Sequence, residues 1–135
     1  MKQALSIEQM KHLKDLGLDT SDASMHWQFL PTADSIINGT DEIEKEPCLF
    51  VSQPNMKHEY PAYTLQDILD KLPCFIGNEV LTIQKLADSY TCLYMEPYSR
   101  SIIKITESKE LIDAAYEMLC WCIENGYVKV VMEEK

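Results

Sequence analysis

The 135-residue chain has only four glycines, and it lacks a Cys-x-x-Cys pair, a Gly-x-Ser-x-Gly elbow, a His-Glu-x-x-His helix and a glycine-rich phosphate loop. Each absence removes a class of chemistry. So little glycine leaves almost no backbone able to wrap a phosphate group, and no nucleophile elbow or zinc-protease helix is available. No apolar run approaches the roughly 20 residues of a membrane span. The opening MKQALSIEQMKHLKDLG breaks its apolar residues with charges, unlike a secretory leader. The expected location is therefore the cytoplasm, without a membrane partner. Basic residues are scarce as well: 12 lysines and arginines face 22 acidic residues, for a net charge of −10. Five basic and ten acidic residues precede residue 61, and seven and twelve follow, so the deficit is even along the chain. Binding to nucleic acid through phosphate contacts is disfavoured. An acidic surface that captures a basic protein is compatible with this charge, as is charge that serves solubility alone.

What is present belongs to one globular domain spanning residues 1–135. A hydrophobic content of 46% and a charged content of 25% are ordinary for such a domain, and this length buries about two thirds of the unfolded surface. The five cysteines, Cys48, Cys74, Cys92, Cys120 and Cys122, are odd in number and irregular in spacing, which reads as reduced thiols.

The clearest periodic segment runs from Glu107 to Tyr127. Leu111, Ala115, Met118 and Cys122 recur at helical spacing, widened by Ile112, Leu119 and Ile123, with Asp113, Glu117 and Glu124 opposite. Thr106 or Ser108 is placed to cap its start and Asn125-Gly126 to stop it. Near the N-terminus Ser6 and Gln9 predict a capping box, Leu5 and Met10 a hydrophobic staple, and Gly17 a left-handed stop after Leu16. Met25, Trp27 and Phe29 alternate with His26 and Gln28, predicting a strand with one buried face that ends at Pro31. The polar, acidic stretch 32–47 reads as a mobile loop or small hairpin turning at Asn38-Gly39. Cys48–Ser52 reads as a strand, and Gln53–Ala62 as a proline-punctuated loop. Thr64 caps a helix carrying Leu65, Ile68, Leu69 and Leu72, closed by Pro73. Val80–Leu86, Tyr90–Met95 and Ser101–Thr106 predict an antiparallel meander, and Tyr127–Met132 a last short strand. The expected fold is α+β, an antiparallel sheet covered on one face by helices.

Few residues point to chemistry. Cys120 and Cys122 stand about 200° apart around a helix, so their sulfurs diverge, and core packing is the better reading. Asp34–Lys45 has a calcium loop's first, fifth and sixth positions, but Ile36 and Lys45 stand where ligands are required. No catalytic, cofactor or metal site follows, and the sequence leans away from an enzyme. His12, His26 and His58 share no motif. Tyr60, Tyr63 and Tyr98 fall in expected loops, where sheet packing does not account for them, and they are the candidates for a protein-interaction surface. Trp121, at the edge of the helical stripe, is expected to be mostly buried, with its loss to alanine costing roughly 3–5 kcal/mol.

Three stretches, LSIEQMKHLKDLGLDTSDASM at 5–25, TLQDILDKLP at 64–73 and LIDAAYEMLCWCIENGYV at 111–128, together resemble a group of small uncharacterised proteins from gut bacteria and their prophage-like elements. The resemblance carries no catalytic or binding residue and implies an accessory role on a mobile element. The favoured expectation is a non-enzymatic, acidic protein-binding domain whose partner is a host or mobile-element protein. The alternatives are a small-ligand-binding domain or enzyme with an unrecognised site at the open sheet face or under the 53–63 loop, and a homo-oligomeric module.

Overall fold

The structure, a computed structural model, describes residues 2–53 and 56–130. The element order is α1 (Ile7–Asp15), β1 (Met25–Gln28), α2 (Ala33–Asn38), β2 (Cys48–Val51), β3 (Tyr60–Ala62), α3 (Leu65–Lys71), β4 (Phe75–Ile76), β5 (Glu79–Lys85), β6 (Tyr90–Met95), β7 (Ile102–Ser108) and α4 (Leu111–Glu124). The fold is α+β, with two antiparallel sheets where one was expected. The first has order β2-β1-β3 and the second β4-β5-β6-β7.

Local signals fix the helix ends. Ser6 accepts the Gln9 N–H while the Gln9 side chain accepts the Ser6 N–H, and Thr64 and Asp67 repeat the reciprocal pattern. Each box satisfies two donors that a helix start would otherwise leave unpaired. Gly17 takes φ +100°, and the Leu18 N–H then folds back to the Leu13 carbonyl at 3.1 Å, burying both leucines. The expected meander is present as β5, β6 and β7. It gains β4 through a two-residue turn in which Gly77 takes φ +63°.

α4 organises the core. Ile112, Ala114, Ala115, Met118, Leu119, Cys120, Cys122 and Ile123 are all buried, so the apolar stripe reaches most of the way round. One face of β6, through Cys92 and Tyr94, joins the same cluster, with Tyr63 and Ile68 beside it. The Thr106 hydroxyl lies 2.7 Å from the Ala114 carbonyl, tying β7 to the helix that follows it. Lys2 reaches Asp113 at 2.8 Å and Gln9 Nε2 donates to the same carboxylate at 2.9 Å, clamping the N-terminal region onto α4.

Several expectations are corrected. α4 begins at Leu111, because Glu107 and Ser108 extend β7. Its N-cap is Glu110, which makes no side-chain capping bond. Tyr127–Val130 forms no strand, and residues 131–132 lie outside the described residues. β1 buries His26 between half-buried Met25 and Trp27, so both its faces are covered. The acidic stretch holds the helix α2, capped by Thr32 and ended by Gly39 at φ +70°. It is the tip of a hairpin after all, but one that turns through a helix: Pro31 bridges Ile43, and Gln28 pairs with Cys48 further back. The segment read as a loop before Tyr63 contains β3, paired to β1. Pro54 and Asn55 lie outside the described residues.

Candidate functional site

The structure separates the three candidate tyrosines. Tyr63 is 0% exposed, and its hydroxyl sits 3.0 Å from the Asp19 carbonyl and 2.9 Å from an Asp22 carboxylate oxygen. Burial, and then the bond to Asp22, pushes its pKa far above the usual phenol value. It is a core strut and presents no recognition surface. Tyr60 is half-buried in β3, edge-on to Phe29 at 5.7 Å. Only Tyr98, 96% exposed on the turn between β6 and β7, is free to meet a partner. The Glu96 carboxylate accepts the N–H groups of Ser99 and Tyr98 in that turn, and the Ser99 hydroxyl, then the Ser99 and Tyr98 N–H groups, hold it below the usual carboxylate range.

The thiols do not form a reactive centre. All five cysteines are free, and Cys92, Cys120 and Cys122 are buried. Burial pushes them up to about 12, 11 and 11 respectively, which keeps them protonated and unreactive. Among the described residues no group of three or more His, Cys, Asp or Glu side chains is placed to hold a metal ion. No helix of the described residues is long and apolar enough to cross a membrane.

Sequence reasoning missed two features. One is a ring stack: His58 lies parallel to His26 at 3.7 Å, and His26 stacks in turn on Phe50 at 5.9 Å. The other is the hairpin arm between β1 and β2. Thr32 N–H donates to the Glu42 carbonyl and Glu44 N–H to the Leu30 carbonyl, so the two legs are tied together below α2. Ile36 and Ile37 above that tie and Ile43 within it are 68%, 79% and 58% exposed, and Ser35 is the one buried residue of α2. Around the isoleucines the arm carries Asp34, Asp41, Glu42, Glu44 and Glu46 against the single cation Lys45. Single exposed apolar residues are ordinary, but three isoleucines on one short acidic arm are costly to leave in water. The helical spacing of Thr32, Asp34 and Gly39 is the signal that could have revealed α2.

A second apolar surface lies on the side of the β4–β7 sheet that faces away from α4. Register places Phe75, Val80, Met95 and Ile102 in one row across the strands, and Thr82, Leu93 and Ile105 in the next. Register places one charge, Glu107 opposite Thr91, on the same side.

Comparison with protein-family models, with curated proteins and with solved structures finds no match to this chain.

Proposed function

We propose that the chain is a non-enzymatic protein-binding domain whose contact element is the acidic arm, residues 30–47. The observation that carries this reading is the exposure of Ile36, Ile37 and Ile43 on an arm that carries five acidic residues. The chemistry selects the partner: a protein with an apolar groove edged by lysine or arginine. Burying the isoleucines supplies affinity, and the carboxylates supply orientation and speed of encounter. The net charge of −10 favours a basic partner over the long range as well. The likeness of three stretches to small gut-bacterial and prophage-like proteins supports a host or mobile-element protein as the partner. Five free cysteines support action in the reducing cytoplasm.

The test uses Ile36→Glu/Ile37→Glu in the full chain. The variant keeps the wild-type melting temperature, because neither side chain is buried, and loses the basic partner that the wild type retains from source lysate at low salt. A variant that retains the partner as well as the wild type does contradicts the proposal.

The apolar rows on the second sheet favour one other reading, self-association through that face and the edge strand β7. Sedimentation that gives a dimer, abolished by Ile105→Lys, supports it, and a monomer at about 100 μM removes it.

A further inference from the structure

A second site lies at the end of the first sheet away from the arm. Between α1, the turn after it and residues 56–61 runs a cleft of about 350 Å³, within the range of small-molecule sites. Its apolar lining includes Ile7, Met10, Leu18 and Pro61. Met10 and Leu18 are 4% and 5% exposed, so this surface is continuous with the core. Its polar lining is unusual for this chain: Lys11, Lys14 and Lys57 all border it, a quarter of the twelve basic residues in a protein of net charge −10. The ion pairs among the described residues are Lys2–Asp113 and Lys71–Asp22, so these three ammonium groups hold no carboxylate among them. Two acidic residues share the lining, Asp19, which accepts the Ser21 N–H at 3.0 Å, and Glu59, so the cations outnumber the carboxylates there by three to two. His58 stands in the same wall, and its Nε2 is shielded from solvent with no hydrogen-bond partner among the described residues. Ser52, whose hydroxyl is 3.2 Å from His26 Nδ1, completes the polar side.

We infer that this cleft binds a small amphiphilic carboxylate, with its apolar body on Met10 and Leu18 and its head group among Lys11, Lys14 and the His58 imidazole. A neutral ligand would leave the excess of positive charge in the lining, three ammonium groups against two carboxylates, unmatched, and an inorganic anion would leave the apolar floor wet. Only a molecule with both parts uses the whole cleft.

The test follows methyl-labelled methionines by NMR while the full chain is titrated with sodium octanoate, with acetate and with 1-octanol. Met10 and Met56 line the cleft, and Met95 and Met118 report on the other sheet and the core. Octanoate shifts Met10 and Met56 and leaves Met95 and Met118 in place. Acetate and octanol bind at least about tenfold more weakly, and Lys11→Gln/Lys14→Gln weakens octanoate about tenfold without changing octanol. Both lysines are exposed, so the variant folds as the wild type does. No shift at about 10 mM octanoate, shifts spread over all four methionines, or an unchanged affinity in the double variant overturns the inference. None of these results bears on the acidic arm, which lies at the far end of β1 and β2.

Discussion

The imidazole of His58 lies on that of His26, 3.7 Å away and within 10° of parallel. The two residues are 32 positions apart, and their contact fastens the segment after β2 onto the central strand of the first sheet. Such a ring pair contributes about 0.5–1.5 kcal/mol beyond the area it buries. His58→Ala should therefore cost about 1 kcal/mol and speed amide exchange at residues 56–59, with α4 unchanged. Hydrogen exchange followed by mass spectrometry measures both, and unaltered exchange at 56–59 would show that the stack holds nothing.

The thiols divide by burial. Cys48 and Cys74 are exposed, whereas Cys92, Cys120 and Cys122 are buried and held protonated. A disulfide reagent at pH 8 should label two thiols of the folded chain quickly and the other three only after denaturant is added. Rapid labelling of a third thiol in the folded chain would contradict the packing of α4 against β6.

Asp113 gives the fold a dependence on acid. Burial opposes its ionisation, but hydrogen bonds from Gln9 and Lys2 and the Lys2 charge outweigh that and hold it below its ordinary value of 3.8. A carboxyl that is more acidic folded than unfolded stabilises the fold above the unfolded value, and that contribution is lost as the pH falls through the folded one. Wild type should lose stability on this account as the pH falls below about 4. Asp113→Asn should be less stable at pH 7 and show a flatter acid limb in urea titrations. An identical pH profile in the two proteins would refute the clamp.

Trp121 is half-buried, less than its place beside the stripe suggested, and its ring tilts against Tyr127 at 5.4 Å. Partial burial lowers the expected cost of Trp121→Ala to about 2 kcal/mol, from the roughly 3–5 kcal/mol of a fully buried aromatic. Urea unfolding measures it, and a loss under about 0.5 kcal/mol would mean that the indole contributes nothing to the core.

How far the sequence could be read depended on how local each signal was. Ser6 with Gln9 and Thr64 with Asp67 act across three residues, and both helix starts are where the pattern puts them. The meander followed from short connections and from alternation. Asn38-Gly39 was ambiguous, because the same glycine freedom that turns a hairpin also ends a helix, and here Thr32 had already started one. β3 was hidden by Pro61, which a three-residue edge strand tolerates. Tyr63 looked like a loop residue and is core, because Leu5 N–H bonds to its carbonyl and draws the N-terminal segment over it. The cleft and the histidine stack join residues from three distant stretches, and no pattern along the chain announces such meetings.

The central claim is that the acidic arm is where a partner docks. The most direct measurement places a photo-reactive benzoylphenylalanine in place of Ile37, or of Tyr98 as the reference exposed site, and irradiates each protein with source lysate at low and at high salt. The account predicts one dominant adduct with a basic protein from position 37, weakened at about 0.5 M salt, where charges are screened within about 4–5 Å. It predicts no such adduct from position 98. Equal adducts from the two positions, or an adduct from position 37 that salt does not weaken, would contradict it.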